Sequence, residues 1–333
     1  MTGVQTCALP IFLRWGRRSA KTTATVTLLV VGLLGYSGVR AEGWTGKHAV
    51  ELFRGNSNFG LLQVTQQKNG PERYYLNDYL FQNTYDTNTK QSVSMFTYML
   101  HGLALAYTPK VQDVLCIGMG VGIVPMDFAR GGAKVDVVEI NPAVLPVAQQ
   151  YFNFEPDKLN LTFADGRQFV NRCAKRYDAI ILDAFLGDSC PSHLMTREAF
   201  TAMRQLLTPD GVLVINTFAE LDGERNFFGV SLYRTLTNVF ASGLIHAGRN
   251  GNTFFVGSTK TNLSMLHAPD YTHVYPGCIG LVKDAFATLR IPEDMSRALI
   301  LTDDYNPVEV RDASNRERLR KDLALRAKGV PAY

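Results

Sequence analysis

After Pro109 short apolar runs alternate with amphipathic stretches of helical spacing. The apolar runs DVLCIG (113–118), KVDVVE (134–139), NLTFAD (160–165), YDAIILD (177–183) and GVLVINTF (211–218) read as strands. Between them, helices are predicted to begin near Gly122, Pro142, Asp165 and Thr196. Asn141-Pro142 suits an N-cap and first turn, because the asparagine side chain can take an orphan amide and proline has none to lose. Gly131-Gly132 suits a helix stop. Continuously apolar strands separated by helices imply a parallel sheet covered on both faces. Further on, GLIHAG and NTFFVGS bracket a turn from Arg249 to Gly251, which predicts an antiparallel hairpin closing that sheet.

Upstream, the pattern differs. From about Asn58 to Asn83 the chain is polar and β-prone, and GLLQVTQQ and ERYYLND flank a Lys-Asn-Gly-Pro turn as a hairpin. An apolar, helix-like stretch follows, SVSMFTYMLHGLALAY (92–107). Between Lys21 and Arg40 lie 18 uncharged residues (22–39). As a helix they span about 27 Å, enough for a bilayer core. A membrane anchor is therefore expected there, with a cleaved secretory signal as the rival. Residues 1–11, MTGVQTCALPI, resemble a translated sequencing-adapter scar and are set aside. The expected layout is a leader (1–42), a β-rich unit with its linking helix (43–108), an α/β domain (109–310) and a charged C-terminal helix (311–333). Five parallel strands and a terminal hairpin is the order of a class I methyltransferase-like Rossmann fold, whereas a dehydrogenase more often continues with a second βαβ half.

The 333 residues are 46% hydrophobic and 19% charged, which excludes a disordered or collagen-like chain. Five cysteines with no close pair argue against a disulfide framework or a zinc site and fit a reducing compartment. The net charge of +4 sits in the ends: residues 42–310 hold 22 basic and 27 acidic residues. That distribution speaks against a nucleic-acid groove and is compatible with a cationic substrate.

The chemistry converges on the strand ends. Gly118, Gly120 and Gly122 follow the first strand and open a helix, where glycine permits a tight turn and close approach to a ligand. The nicotinamide fingerprint wants another glycine at Ile123. Glu139 ends the next strand, where a carboxylate can accept both ribose hydroxyls. Asp165-Gly166 ends the third strand and Asp183 the fourth. In open α/β sheets ligands sit beyond these carboxyl ends, so four consecutive strands deliver a nucleoside site to one rim.

The segments VLCIGMGVG, VVEINPAV, ADGRQFV, YDAIILDAF, GDSCPSHLMTREAF and LTDDYNPVE resemble the spermidine synthase family (polyamine aminopropyltransferases), the last two its membrane-fused branch. The resemblance covers about residues 57–310. It implies a β-rich unit before a Rossmann-like domain, and transfer of an aminopropyl group from decarboxylated S-adenosylmethionine to putrescine. By that resemblance Glu139 holds the ribose, Asp165 the adenine amine, and Asp183 orients and deprotonates the attacking amine. Gln82 resembles a family glutamine, His101 a histidine of the preceding helix, and Asp188 a displaced second aspartate. No metal is implied, since sulfur leaves as a neutral thioether. A homodimer is compatible with the resemblance. The domain is expected on the cytoplasmic side of the membrane, where the donor is made. Departures are Val121 and Leu186, each where the family has an aspartate, and a missing Tyr-His-Glu-Met run around Met95–Tyr98. The loss at 121 predicts that intact S-adenosylmethionine binds as well. The alternatives are a methyltransferase on the same fold and a non-catalytic nucleoside or polyamine sensor. Two further readings are structural: His101 as a packed histidine, and Asp303-Asp304 as a cap or a fastener of the last loop.

Overall fold

Five strands on the N-terminal side pair in sequence order as an antiparallel sheet: β1 (Ala49–Ser57), β2 (Gly60–Gln67), β3 (Glu72–Asn77), β4 (Leu80–Asp86) and β5 (Gln91–Ser92). The structure, a computed structural model, describes residues 25–32, 48–185, 191–248 and 251–327. The predicted hairpin is β2–β3, and its register runs from Leu62 opposite Asn77 to Gln66 opposite Arg73. β1 was not read from the sequence. It is an edge strand exposed along most of its length, so it shows no clean alternation of apolar and polar positions. The linking helix α1 (Met95–Tyr107) then leads into the larger sheet.

That sheet has eight strands. The parallel ones are β6 (Asp113–Ile117), β7 (Lys134–Glu139), β8 (Asn160–Phe163), β9 (Tyr177–Leu182) and β10 (Leu207–Thr217). The hairpin β11 (Ser242–Ala247) and β12 (Thr253–Ser258) and the short β13 (Leu289–Arg290) complete the order β13-β11-β12-β10-β9-β6-β7-β8. The helices are α2 (Ile123–Arg130), α3 (Val144–Phe152), α4 (Gly166–Arg172), α5 (Arg197–Gln205), α6 (Phe227–Val239), α7 (Ile279–Ala287), α8 (Val308–Arg311) and α9 (Ala313–Ala327). Helix α3 begins two residues after Pro142, and Asn141 Oδ1 accepts the Ala143 amide at 3.1 Å.

Both faces of the sheet are covered, as apolar runs without alternation require. Val114 and Cys116 face a core shared with Met99 and Leu103 of α1 and with Leu62 and Val64 of the smaller sheet. Leu115 and Ile117 face the other way, onto Phe200 of α5 and Leu232 of α6. Residues His48–Tyr333 thus form one unit, and Met1–Lys47 another.

The expected membrane anchor is corrected. Among the described residues no helix is long and apolar enough to cross a membrane. Within 22–39 the described helical residues are 25–32. Residues 22–24 and 33–39 lie outside the described residues, as do 1–11. The membrane-anchored localisation and the membrane partner are therefore withdrawn.

Candidate functional site

Sheet register assembles the site. Ile117 pairs with both Val138 and Leu182, and Leu182 pairs with Ile215. One residue beyond each of these stand Gly118, Glu139, Asp183 and Asn216, which therefore share a rim. Glu139 pairs in turn with Phe163, two residues before Asp165. The rim opens into a cavity lined by Gly118, Gly120, Glu139, Asp165, Gly166 and Asp183, and also by Gln82 of β4. Gly122 and His101 line a different cavity.

The glycines do separate jobs. Gly118 has φ +95°, and a Cβ there would lie 2.3 Å from the Asp183 carbonyl oxygen. Gly122 has φ +85°, and its Cβ would fall 2.1 Å from the Phe154 ring. Both glycines let protein pack on protein. Gly120, at φ +51°, has open space where a side chain would go, so its missing Cβ leaves room for a ligand.

Glu139 is 8% exposed and its carboxylate is held at both ends. Oε2 accepts the Met119 amide at 2.9 Å and Oε1 the Asn141 amide at 2.8 Å. Burial raises its pKa, and the amide hydrogen bonds oppose that rise. Asp165 caps α4: Oδ1 accepts the Gln168 amide at 2.8 Å, and Oδ2 lies 3.0 Å from His193 Nε2. Each carboxylate oxygen still has a lone pair for a ligand.

Asp183 differs. Its Oδ1 accepts a 2.9 Å hydrogen bond from Asn216 Nδ2, and among the described residues its Oδ2 takes none. The Asn216 carbonyl accepts from Asn252 Nδ2 at 3.0 Å, which fixes which end of that amide faces the carboxylate. The side chain keeps a face open to the cavity while protein surrounds the rest. That burial pushes its pKa up to about 6, against the Asn216 hydrogen bond. A carboxylate so tuned can hold an ammonium and accept a proton near neutral pH.

The remaining expectations fall elsewhere. His101 packs edge-on against Phe128, with ring centroids 4.6 Å apart, and burial lowers its pKa to about 4. Asp188 lies outside the described residues. Asp303 fastens the last loop: it accepts Thr196 Oγ1 at 2.6 Å and pairs with Arg167 at 2.8 Å. Among the described residues no three His, Cys, Asp or Glu side chains are grouped to hold a metal. Asn216, Asn252 and His193 escaped the sequence reading. The rim rule could have found Asn216, the last residue but one of the fifth parallel strand, and His193 lies inside the quoted GDSCPSHLMTREAF segment.

Comparison with known proteins places the chain's central part. Residues 94–223 match the family described as Spermine/spermidine synthase domain. Over 131 residues the chain is 41% identical to the polyamine aminopropyltransferase of Vibrio vulnificus (strain CMCP6), covering 37% of this chain and 44% of that protein. Over 287 residues it is 28% identical to a probable polyamine aminopropyl transferase of Bifidobacterium longum (strain NCC 2705), covering 78% and 61%. The chain thus spans less than two thirds of either relative's length. Among solved structures, spermidine synthase from Thermotoga maritima shares the fold, with a TM-score of 0.57 at 18% identity over 72% of this chain and 84% of that one. The family resemblance read from the motifs is borne out over residues 94–223, which match the spermine/spermidine synthase domain.

Proposed function

We propose that this spermine/spermidine synthase domain makes the chain a polyamine aminopropyltransferase, which moves an aminopropyl group from decarboxylated S-adenosylmethionine to a primary amine such as putrescine. The observation that carries the reading is the common cavity of Glu139, Asp165 and Asp183, with one Asp183 oxygen that takes no donor among the described residues. The donor is a substrate here. Glu139 accepts its ribose hydroxyls, Asp165 its adenine amine, and the main chain at Gly118, Gly120 and Gly166 lies against it, with Gln82 in the same cavity.

An alkylammonium has a pKa of about 10 and no lone pair with which to attack carbon. Asp183 draws the ammonium to Oδ2, accepts one proton and aims the freed amine. The nitrogen lone pair forms the new C–N bond at the carbon beside the sulfonium. The C–S electron pair stays on sulfur, which leaves as the neutral thioether of methylthioadenosine. The product nitrogen keeps its two protons as a secondary ammonium, and the proton on Asp183 passes to water, which restores the carboxylate.

The test is incubation of the full chain with decarboxylated S-adenosylmethionine and a panel of amines, read by mass spectrometry. Methylthioadenosine with an aminopropylated amine is expected, and Asp183→Asn should lower its formation by about 10²–10⁴-fold. No methylthioadenosine with any amine in the panel would sink the proposal. A second reading, methyl transfer from intact S-adenosylmethionine, is favoured by Val121. This buried apolar residue stands in the glycine loop where the family carries an acid for the donor's amine. S-adenosylhomocysteine as the product would select it.

A further inference from the structure

We propose that the cavity between α1, α2 and α7 is a second small-molecule site, distinct from the strand rim, that takes an aromatic body carrying one anionic group. The cavity measures about 810 Å³, within the ~300–1,000 Å³ of small-molecule sites. His101 and Leu105 come from α1, Met126 and Asp127 from α2, and Val282 and Phe286 from α7. Ile123, at the start of α2, lines both cavities, so the two are neighbours across the first turn of that helix. Residues 259–275, which connect β12 to the turn at Pro276 without helix or strand, complete the wall with His267, Asp270 and His273 among others. Connections of that length are uncommon in compact domains unless they carry a function. This one is fastened in place: the Leu266 amide donates to the Ala106 carbonyl at 2.7 Å, and Gln91 Nε2 donates to the His273 carbonyl at 3.0 Å.

The lining sets the class of ligand. Tyr85, Tyr98, Phe152 and Phe286 give it aromatic surface, and the Tyr98 hydroxyl is already spent on the Ser92 carbonyl at 2.6 Å. A flat ring gains by burial against such faces. His101 is half-buried, and among the described residues its ring makes no hydrogen bond. Burial lowers its pKa to about 4, so the neutral imidazole offers one donor and one acceptor to a polar atom of the ring. The exposed lining residues stand where the cavity opens, and Lys90, Lys110 and Arg130 are among them. Both carboxylates of the lining are engaged: Asp127 Oδ1 accepts Arg130 Nη1 at 3.2 Å, and Asp270 Oδ1 accepts the Thr272 amide and hydroxyl at 2.8 Å. An ammonium would pass two lysines to reach an acid that already has its cation. A carboxylate at the mouth meets those lysines directly.

Three probes share one ring and differ in head-group charge: indole-3-acetate (anionic), tryptophol (neutral) and tryptamine (cationic). Each is titrated calorimetrically into the full chain and into Leu105→Trp, which places a bulky ring at an exposed lining residue. Affinity lost in Leu105→Trp is affinity of this cavity. There indole-3-acetate should bind at least about fivefold tighter than tryptophol, with tryptamine weakest. The double variant Lys90→Glu, Lys110→Glu should remove the advantage of the anion and leave tryptophol binding unchanged. Both variants should melt with the parent, which certifies the fold. No binding of indole-3-acetate, or binding that neither variant weakens, overturns the proposal. Tryptamine binding as tightly as indole-3-acetate, and weakened by Leu105→Trp, overturns it too. Turnover is not read at any step, so the outcome stands apart from the transferase reading.

Discussion

The proton-accepting role proposed for Asp183 works against stability, and both sides are measurable. Its pKa is raised from 3.8 to about 6 by burial, so the ionised form is disfavoured in the folded chain. As the proton acceptor it must be ionised, and kcat/KM is expected to fall as pH drops through about 6. Asn216→Leu removes the hydrogen bond that restrains the rise and should move that acid limb to higher pH, which a pH–rate series checks. For stability the sign is opposite. A raised folded-state pKa means that the carboxyl's contribution is complete below about 3.8 and is lost as pH rises through about 6. Above that window Asp183→Asn should therefore be more stable than the parent, by on the order of 3 kcal/mol, with the gap closing toward pH 4. Thermal melts across pH 4–8 read this directly, and a variant less stable than the parent at pH 8 would contradict it.

At the scale of elements, the loop between β6 and α2 contains glycines that a motif treats alike and the structure separates. Gly118→Ala places a methyl against the Asp183 carbonyl, and Gly122→Ala places one in the Phe154 ring. Both should cost about 2 kcal/mol or more in unfolding free energy, since backbone and packed ring must shift at a positive φ. Gly120→Ala meets only open space and the milder strain of a left-handed residue. It should fold nearly as well as the parent and lose donor affinity, visible as a raised donor KM with little change in melting temperature. Equal destabilisation by all three substitutions would refute the separation.

The same elements show what the sequence made legible. The parallel strands were readable because burial on both faces leaves runs such as DVLCI and YDAIIL without a polar position to confuse them. Glu139, Asp165 and Asp183 were readable because each ends such a run. Asn252 was not: it reaches Asn216 only because β12 pairs antiparallel with β10, with Thr253 opposite Thr217, and no local pattern announces that pairing. The strand β1 was missed for the opposite reason, its exposure. His101 was ambiguous because an apolar helix has two buried sides, and this histidine lies on the one against Phe128.

For the whole molecule, the deciding feature is the core that α1 shares with both sheets. Tyr75 and Tyr85 of the small sheet touch Phe152 of α3 edge-on, with centroids 6.3 and 5.8 Å away. Arg73 Nη1 donates to the Tyr151 carbonyl at 2.7 Å, and Asn141 Nδ2 donates to Ser57 Oγ at 3.0 Å. The His48–Tyr333 unit should accordingly unfold in one cooperative transition, with coincident near- and far-UV circular dichroism. A separate early melt of the small sheet would show that the shared core does not couple them. Gln82 and Phe81, carried by that sheet, line the same cavity as the strand rim.

The Asn252–Asn216–Asp183 chain has a practical corollary for anyone recombining this scaffold. The orientation of the Asp183 carboxylate is anchored from the antiparallel tail of the sheet, more than sixty positions downstream of the acid itself. A chimera that grafts a foreign C-terminal hairpin onto an intact nucleoside half inherits every motif glycine and acid, yet loses the peg that aims one of them. Crossovers placed after Ser258 keep the peg, and those placed between 217 and 252 need an asparagine supplied at the join.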